Sequence, residues 1–94
     1  MMSKEKTLDF TPFSQADVNV LLAAVPIVDE KIKAYKVKTW FDRANMRMLW
    51  GICCKVDGSW ANMCEGERAL IFEDEKTANA VCRHFKKGLV SAVA

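Results

Sequence analysis

Between Met46 and Cys64, apolar and polar side chains alternate along two short runs that meet at Asp57-Gly58. In the first run Met46, Met48, Trp50, Ile52, Cys54 and Val56 share one parity, and Arg47, Leu49, Gly51, Cys53 and Lys55 share the other, which is the period of a strand with two distinct faces. A helix would mix the two sets. Asp57-Gly58 tolerates the positive φ angles of a type I′ turn. The runs therefore predict a two-residue hairpin with Val56 opposite Ser59, Lys55 opposite Trp60, Cys54 opposite Ala61 and Ile52 opposite Met63.

The same period precedes the hairpin. Tyr35, Val37, Thr39 and Phe41 alternate with Lys36, Lys38 and Trp40, and Asp42 to Asn45 supply polar turn residues. Pairing Phe41 with Met46 across that loop sets Trp40 opposite Arg47, Lys38 opposite Leu49 and Lys36 opposite Gly51. Ile27 to Ala34 fits either a short helix or an extended run, with extension from about Lys33. Gly66 breaks the strand after the hairpin, and Arg68 to Phe72 reads as a short fourth strand.

Helical spacing appears only at the two ends. Ser14 and Asp17 have the spacing of a capping box, Phe13 and Val18 that of a hydrophobic staple, and Val18, Leu21, Leu22 and Val25 fall on one stripe before Pro26. Near the other end Glu73, Asp74 and Glu75 precede an apolar face of Ala78, Val81, Cys82 and Phe85. Arg83, His84, Lys86 and Lys87 close it before Gly88, a charge order that suits the helix dipole.

The order α-β-β-β-β-α with short connections predicts an α+β fold, a four-stranded antiparallel β-meander with both helices packed on one sheet face. The covered face carries Tyr35, Val37, Phe41, Met48, Trp50, Ile52 and Met63. Val18, Leu21, Leu22, Trp50, Ile52, Val81 and Phe85 are expected in one core. The other face bears several lysines, whose unpaired burial would cost more than a small domain can offset, so it is expected to stay open. Residues 1–9 read as a mobile tail, 10–90 as one domain and 91–94 as a frayed end.

Composition changes this picture little, but charge placement changes it more. Lys31, Lys33, Lys36, Lys38, Arg43, Arg47 and Lys55 crowd the middle of the chain, and Glu65, Glu67, Glu73, Asp74 and Glu75 follow, although the formal charge is only +2. The opening MMSKEKTLDF lacks the apolar run of a signal peptide, and no stretch approaches a membrane span, so a cytoplasmic protein is expected. Cys53, Cys54, Cys64 and Cys82 would stay reduced there. Cys64, placed opposite Gly51, is the thiol expected to be most accessible.

Catalytic and metal chemistry find little support. No phosphate-binding loop or nucleophile elbow is present, and the single His84 sits among cations at a helix end, where a solvated, dipole-facing role fits. Cys53 and Cys54 are adjacent on a strand, Cys82 and His84 are two apart on a helix, and there is no C-x-x-C, so neither pair presents two metal ligands together. No cofactor is implied, and no enzyme is expected. The remaining feature is the open face, where Trp40 and Trp60 stand among Lys36, Lys38, Arg47 and Lys55, with Leu49 between them. That grouping reads as a protein-binding surface of a small adaptor, regulator or inhibitor acting by occlusion, a size class shared with accessory proteins of mobile elements. Its alternative is a nucleic-acid-binding face, with indoles for stacking and cations for phosphates.

Overall fold

A computed structural model describes residues 9–89. Its elements run α1 (Gln15–Ala23), β1 (Ile32–Asp42), β2 (Arg47–Val56), β3 (Ser59–Asn62), β4 (Cys64–Glu65), β5 (Arg68–Ala69), β6 (Ile71–Phe72) and α2 (Glu75–Lys86). The fold is α+β, with an antiparallel sheet flanked in sequence by two helices, as the alternation predicts. The stretch left open at Ile27 to Ala34 becomes extended at Ile32.

The hairpin at Asp57-Gly58 forms as expected. Both residues have positive φ, 53° and 80°, and the pairs Val56–Ser59, Lys55–Trp60 and Cys54–Ala61 are present. The β1–β2 register differs from the sequence expectation. Asp42 pairs with Arg47 and Phe41 with Met48, so Trp40 lies opposite Leu49, Lys38 opposite Gly51 and Lys36 opposite Cys53. The shift is two residues, which leaves every side chain on its expected face.

The sheet is three positions wide because β3 and β6 share one edge of β2. After Asn62 the Met63 N–H donates to the Ile52 carbonyl (3.0 Å), and the chain then leaves the sheet as the β4–β5 hairpin. That excursion is closed by the Leu70 N–H on the Met63 carbonyl (3.1 Å), and the chain returns as β6 against Trp50 and Gly51. The last strand of the meander thus lies in line with the third. Of residues 1–9 only Asp9 is described. Its N–H donates to the Glu67 carbonyl (2.8 Å), and its own carbonyl accepts from Ala69 (2.9 Å). The expected frayed end, 91–94, lies outside the described residues.

Both helices feed one core on one sheet face. Val18 and Phe13 join Ala78, Val81, Cys82 and Phe85 from α2 over Tyr35, Ile52, Leu70 and Phe72. Trp50 and Leu21 pack at its margin and are only partly buried. Leu22 does not belong to this core: α1 presents Val18 and Leu21 inward and leaves Leu22 37% exposed. Val25 is exposed too, because the helix stops at Ala23 and Ala24 turns extended before Pro26 is reached. Phe41 (50% exposed) and Met48 also lie outside, at the tip of the β1–β2 hairpin and away from the buried cluster.

Capping fixes the helix starts. Ser14 Oγ accepts from the Asp17 N–H (3.2 Å), and Asp17 Oδ2 accepts from the Ser14 N–H (3.0 Å). Asp74 caps α2 by accepting from the Thr77 N–H and hydroxyl. Arg68 then ties α1 to β5. It donates to Asp17 (3.0 Å) and to the Pro12 carbonyl (3.2 Å), and lies 4.0 Å from the Phe13 ring centre.

These bonds hold the carboxyls of Asp17, Asp42 and Asp74 below their ordinary range. The main causes are the Ser14 amide at Asp17, the Asn45 amide at Asp42 and the Thr77 hydroxyl at Asp74. Because the folded state binds protons less readily than the unfolded one at these groups, their contribution is full above the unfolded pKa and is lost as pH falls through the folded one. The urea midpoint should therefore hold from neutrality to about pH 5 and fall steadily below it. Asp17→Asn should start lower at neutrality and fall less on acidification. A wild-type midpoint that stays level well below the ordinary carboxylate range would contradict this.

Candidate basic and aromatic sheet face

The face of the sheet turned away from the core divides into two ends. At one end Trp40, half-buried, packs on Leu49, Ala69 and Ile71, with the Phe10 ring 5.6 Å from its own. Strand β6 makes this cluster by bringing Ile71 beside Gly51 on the central strand. At the other end Lys36 from β1, Lys55 from β2 and Trp60 from β3 converge across three strands. Lys36 Nζ stands 4.3 Å and Lys55 Nζ 5.8 Å from the Trp60 ring centre. Lys38 is exposed on the same face.

Four of the seven residues singled out in the sequence therefore remain as candidate contact residues: Lys36, Lys38, Lys55 and Trp60. The other three are corrected by their surroundings. Leu49 is 1% exposed under Trp40 and Ile71, so it is core and has no free surface to offer. Trp40 belongs to the same cluster, so truncating it removes packing much as truncating Trp50 does. Arg47 is engaged rather than free: its guanidinium bonds Asp42 (3.2 Å) and Glu73 (3.1 Å) at the end of the sheet.

Trp60 is 41% exposed even with lysines beside it. Cation-π contact orients the ring and keeps both ammonium groups near it. On the same face Cys53 is buried, its thiol bonded to the Asn62 side-chain oxygen (3.3 Å). Among the described residues none of Lys36, Lys38 and Lys55 forms an ion pair. No described helix lies over this end of the face, since both helices join the core on the other side. The result is an exposed indole beside lysines that form no ion pair among the described residues.

The other candidate groups take structural positions. Cys64 is exposed as expected but sits on the β4–β5 hairpin opposite Ala69, not opposite Gly51. Burial pushes the Cys54 and Cys82 thiols up. His84, expected to be solvated, has Nε2 2.8 Å from the Ala24 carbonyl, so it donates there and joins α2 to the end of α1. Among the described residues no group of three or more His, Cys, Asp and Glu is placed to hold a metal ion, and no helix is long and apolar enough to cross a membrane.

Two features escaped sequence reasoning. Arg68 is the tie between the chain's first helix and the inserted hairpin, and its spacing from Asp17 gives no local signal. The second is a groove of about 420 Å³ between the outer edge of β1 and α2. Its signal would have been topological, namely that β1 ends up as a sheet edge beside a helix. Comparison of the chain with protein-family models, with curated proteins and with solved structures finds no match.

Proposed function

We propose that this protein is a non-enzymatic binding module that occupies an acidic surface of a partner protein with the sheet end formed by Lys36, Lys38, Lys55 and Trp60. Occlusion of that surface is the whole of its action, as an adaptor, regulator or inhibitor. The observation that carries the reading is the exposed Trp60 ring held beside two lysines that have no ion-pair partner among the described residues. Tryptophan supplies large contact area at low entropic cost, and anchors of this type dominate interface energetics. Unpaired lysines around it favour an acidic counterpart and speed encounter with it. Four unpaired cysteines suit a reducing compartment such as the cytoplasm.

The competing reading is nucleic-acid binding, and the geometry supports it less. Stacking platforms need free ring faces, whereas Lys36 stands over the Trp60 ring and Trp40 is packed against Phe10 and Ile71. Fluorescent single-stranded and duplex oligonucleotides titrated at two salt concentrations test the choice. No saturable binding is expected at moderate salt. Tight binding that weakens steeply as salt rises would overturn the protein-surface reading in favour of phosphate recognition.

A further inference from the structure

We infer that the edge of β1 is a second contact surface, one that takes an extended acidic segment of the partner as an added strand lying in the groove against α2. The inference rests on the reading of this protein as a protein-binding module and adds to it the form of the partner.

The backbone supplies the first part. Ile52 turns its carbonyl toward Met63 on the far edge of β2, so the Val37–Ile52 pair is of the kind that exchanges no hydrogen bonds. The N–H and C=O groups of Tyr35, Val37 and Thr39 consequently point outward from the sheet. Strand β1 pairs only with β2 among the described strands, and no described backbone group bonds those three residues from outside. This is the template on which an extended peptide adds.

The groove supplies the second part. Between that edge and α2 lies the 420 Å³ space, with Val37, Trp50 and Cys82 in its lining and Arg83 and Lys86 along its helical side. A strand laid beside β1 would turn alternate side chains into this space and the others toward Lys36 and Lys38 on the opposite face.

Charge selects the occupant. Four cations, Lys36, Lys38, Arg83 and Lys86, border the groove against the single carboxylate of Glu75. A second copy of this chain added edge to edge would bring its own β1 lysines against these, which is the arrangement that blocks self-pairing. A segment in which Asp or Glu alternates with small apolar residues satisfies both faces at once.

The test selects a displayed library of random short peptides on the immobilised full chain and measures the affinity of the enriched sequences. Enrichment of alternating acidic and apolar residues is expected. Thr39→Pro removes an outward N–H that the β1–β2 ladder does not use, and should weaken those peptides by about tenfold or more. Arg83→Glu, on the helical side of the groove and outside the Trp60 end, leaves the β1 backbone intact and should weaken them comparably, with binding restored to peptides carrying Lys in place of Glu. That charge exchange stands even where the proline variant fails to fold. No enrichment, enrichment without acidic residues, or affinity unmoved by both substitutions would overturn the proposal, as would concentration-dependent self-association through this edge. None of these results bears on Trp60, whose role is tested by partner affinity instead.

Discussion

Truncation of Phe72 to alanine is expected to remove about 3 to 5 kcal/mol of stability, a large share of what a domain of this length holds. Phe72 is fully buried, lies 5.6 Å from the Phe13 ring, and sits where β6 returns to the central strand. Its ring therefore joins the segment before α1, the sheet and α2 in one contact set. Removing it leaves a cavity that helices fixed at both ends cannot collapse to fill. Leu22→Ala is the matched control. Because Leu22 is largely outside the core, it should cost about 1 kcal/mol or less. Urea denaturation of both variants checks the pair, and equal losses would mean that the inward side of α1 is wrongly placed.

Gly88→Ala is also expected to destabilise the fold, for a different reason. A Cβ at Gly88 would fall 2.1 Å from the Ile27 carbonyl oxygen and 3.2 Å from the Pro26 ring, so backbone must move. The chain here has no spare room, since His84 already fastens α2 to the Ala24 carbonyl one turn earlier. Overpacking of this sort costs about 1 to 3 kcal/mol and occasionally more. Gly66→Ala makes the informative comparison. Gly66 has φ 65° but nothing within 4 Å of a Cβ, so its cost is conformational alone, about 1 to 2 kcal/mol. Melting temperatures should show the Gly88 variant as the less stable of the two. The reverse order would mean that the link between Pro26–Ile27 and the end of α2 is loose.

These two cases also show what a linear sequence reveals and where it stops. Alternation in β1 and β2 identified the strands and the face of each side chain, because burial has a period of two. It did not identify the register of Phe41, because a two-residue slip preserves both faces. Only the loop decides between them, and it spans Arg43 to Met46, with Met46 itself at φ 51°. Ser14 and Asp17 were legible because capping is a local interaction. The inward side of α1 was not, since Val18, Val20, Leu21 and Leu22 surround the helix and tertiary contact chooses among them. Gly88 was legible as a residue that follows a helix, but its close approach to Ile27 is a contact across some sixty residues.

The candidate face was legible in the same partial way. Parity placed Trp40, Trp60 and the lysines together, and that grouping survives for Lys36, Lys38, Lys55 and Trp60. Leu49 and Trp40 were lost to it because β6 falls in line with β3 and carries Ile71 onto the same face. Nothing in the run Arg68 to Phe72 distinguishes a strand added beyond β3 from one that continues it. The seven-residue excursion from Cys64 to Leu70 makes the difference, and its only local mark is Gly66.

The central claim is that Trp60 anchors a partner rather than the fold. The most direct measurement is the affinity of Trp60→Ala for the protein captured by the wild-type chain from its native host, determined by titration calorimetry after the melting temperatures of both forms have been compared. The account predicts a folded variant, with a melting temperature close to wild type, that has lost about 2 kcal/mol or more of binding free energy. A folded Trp60→Ala that binds with wild-type affinity would contradict it.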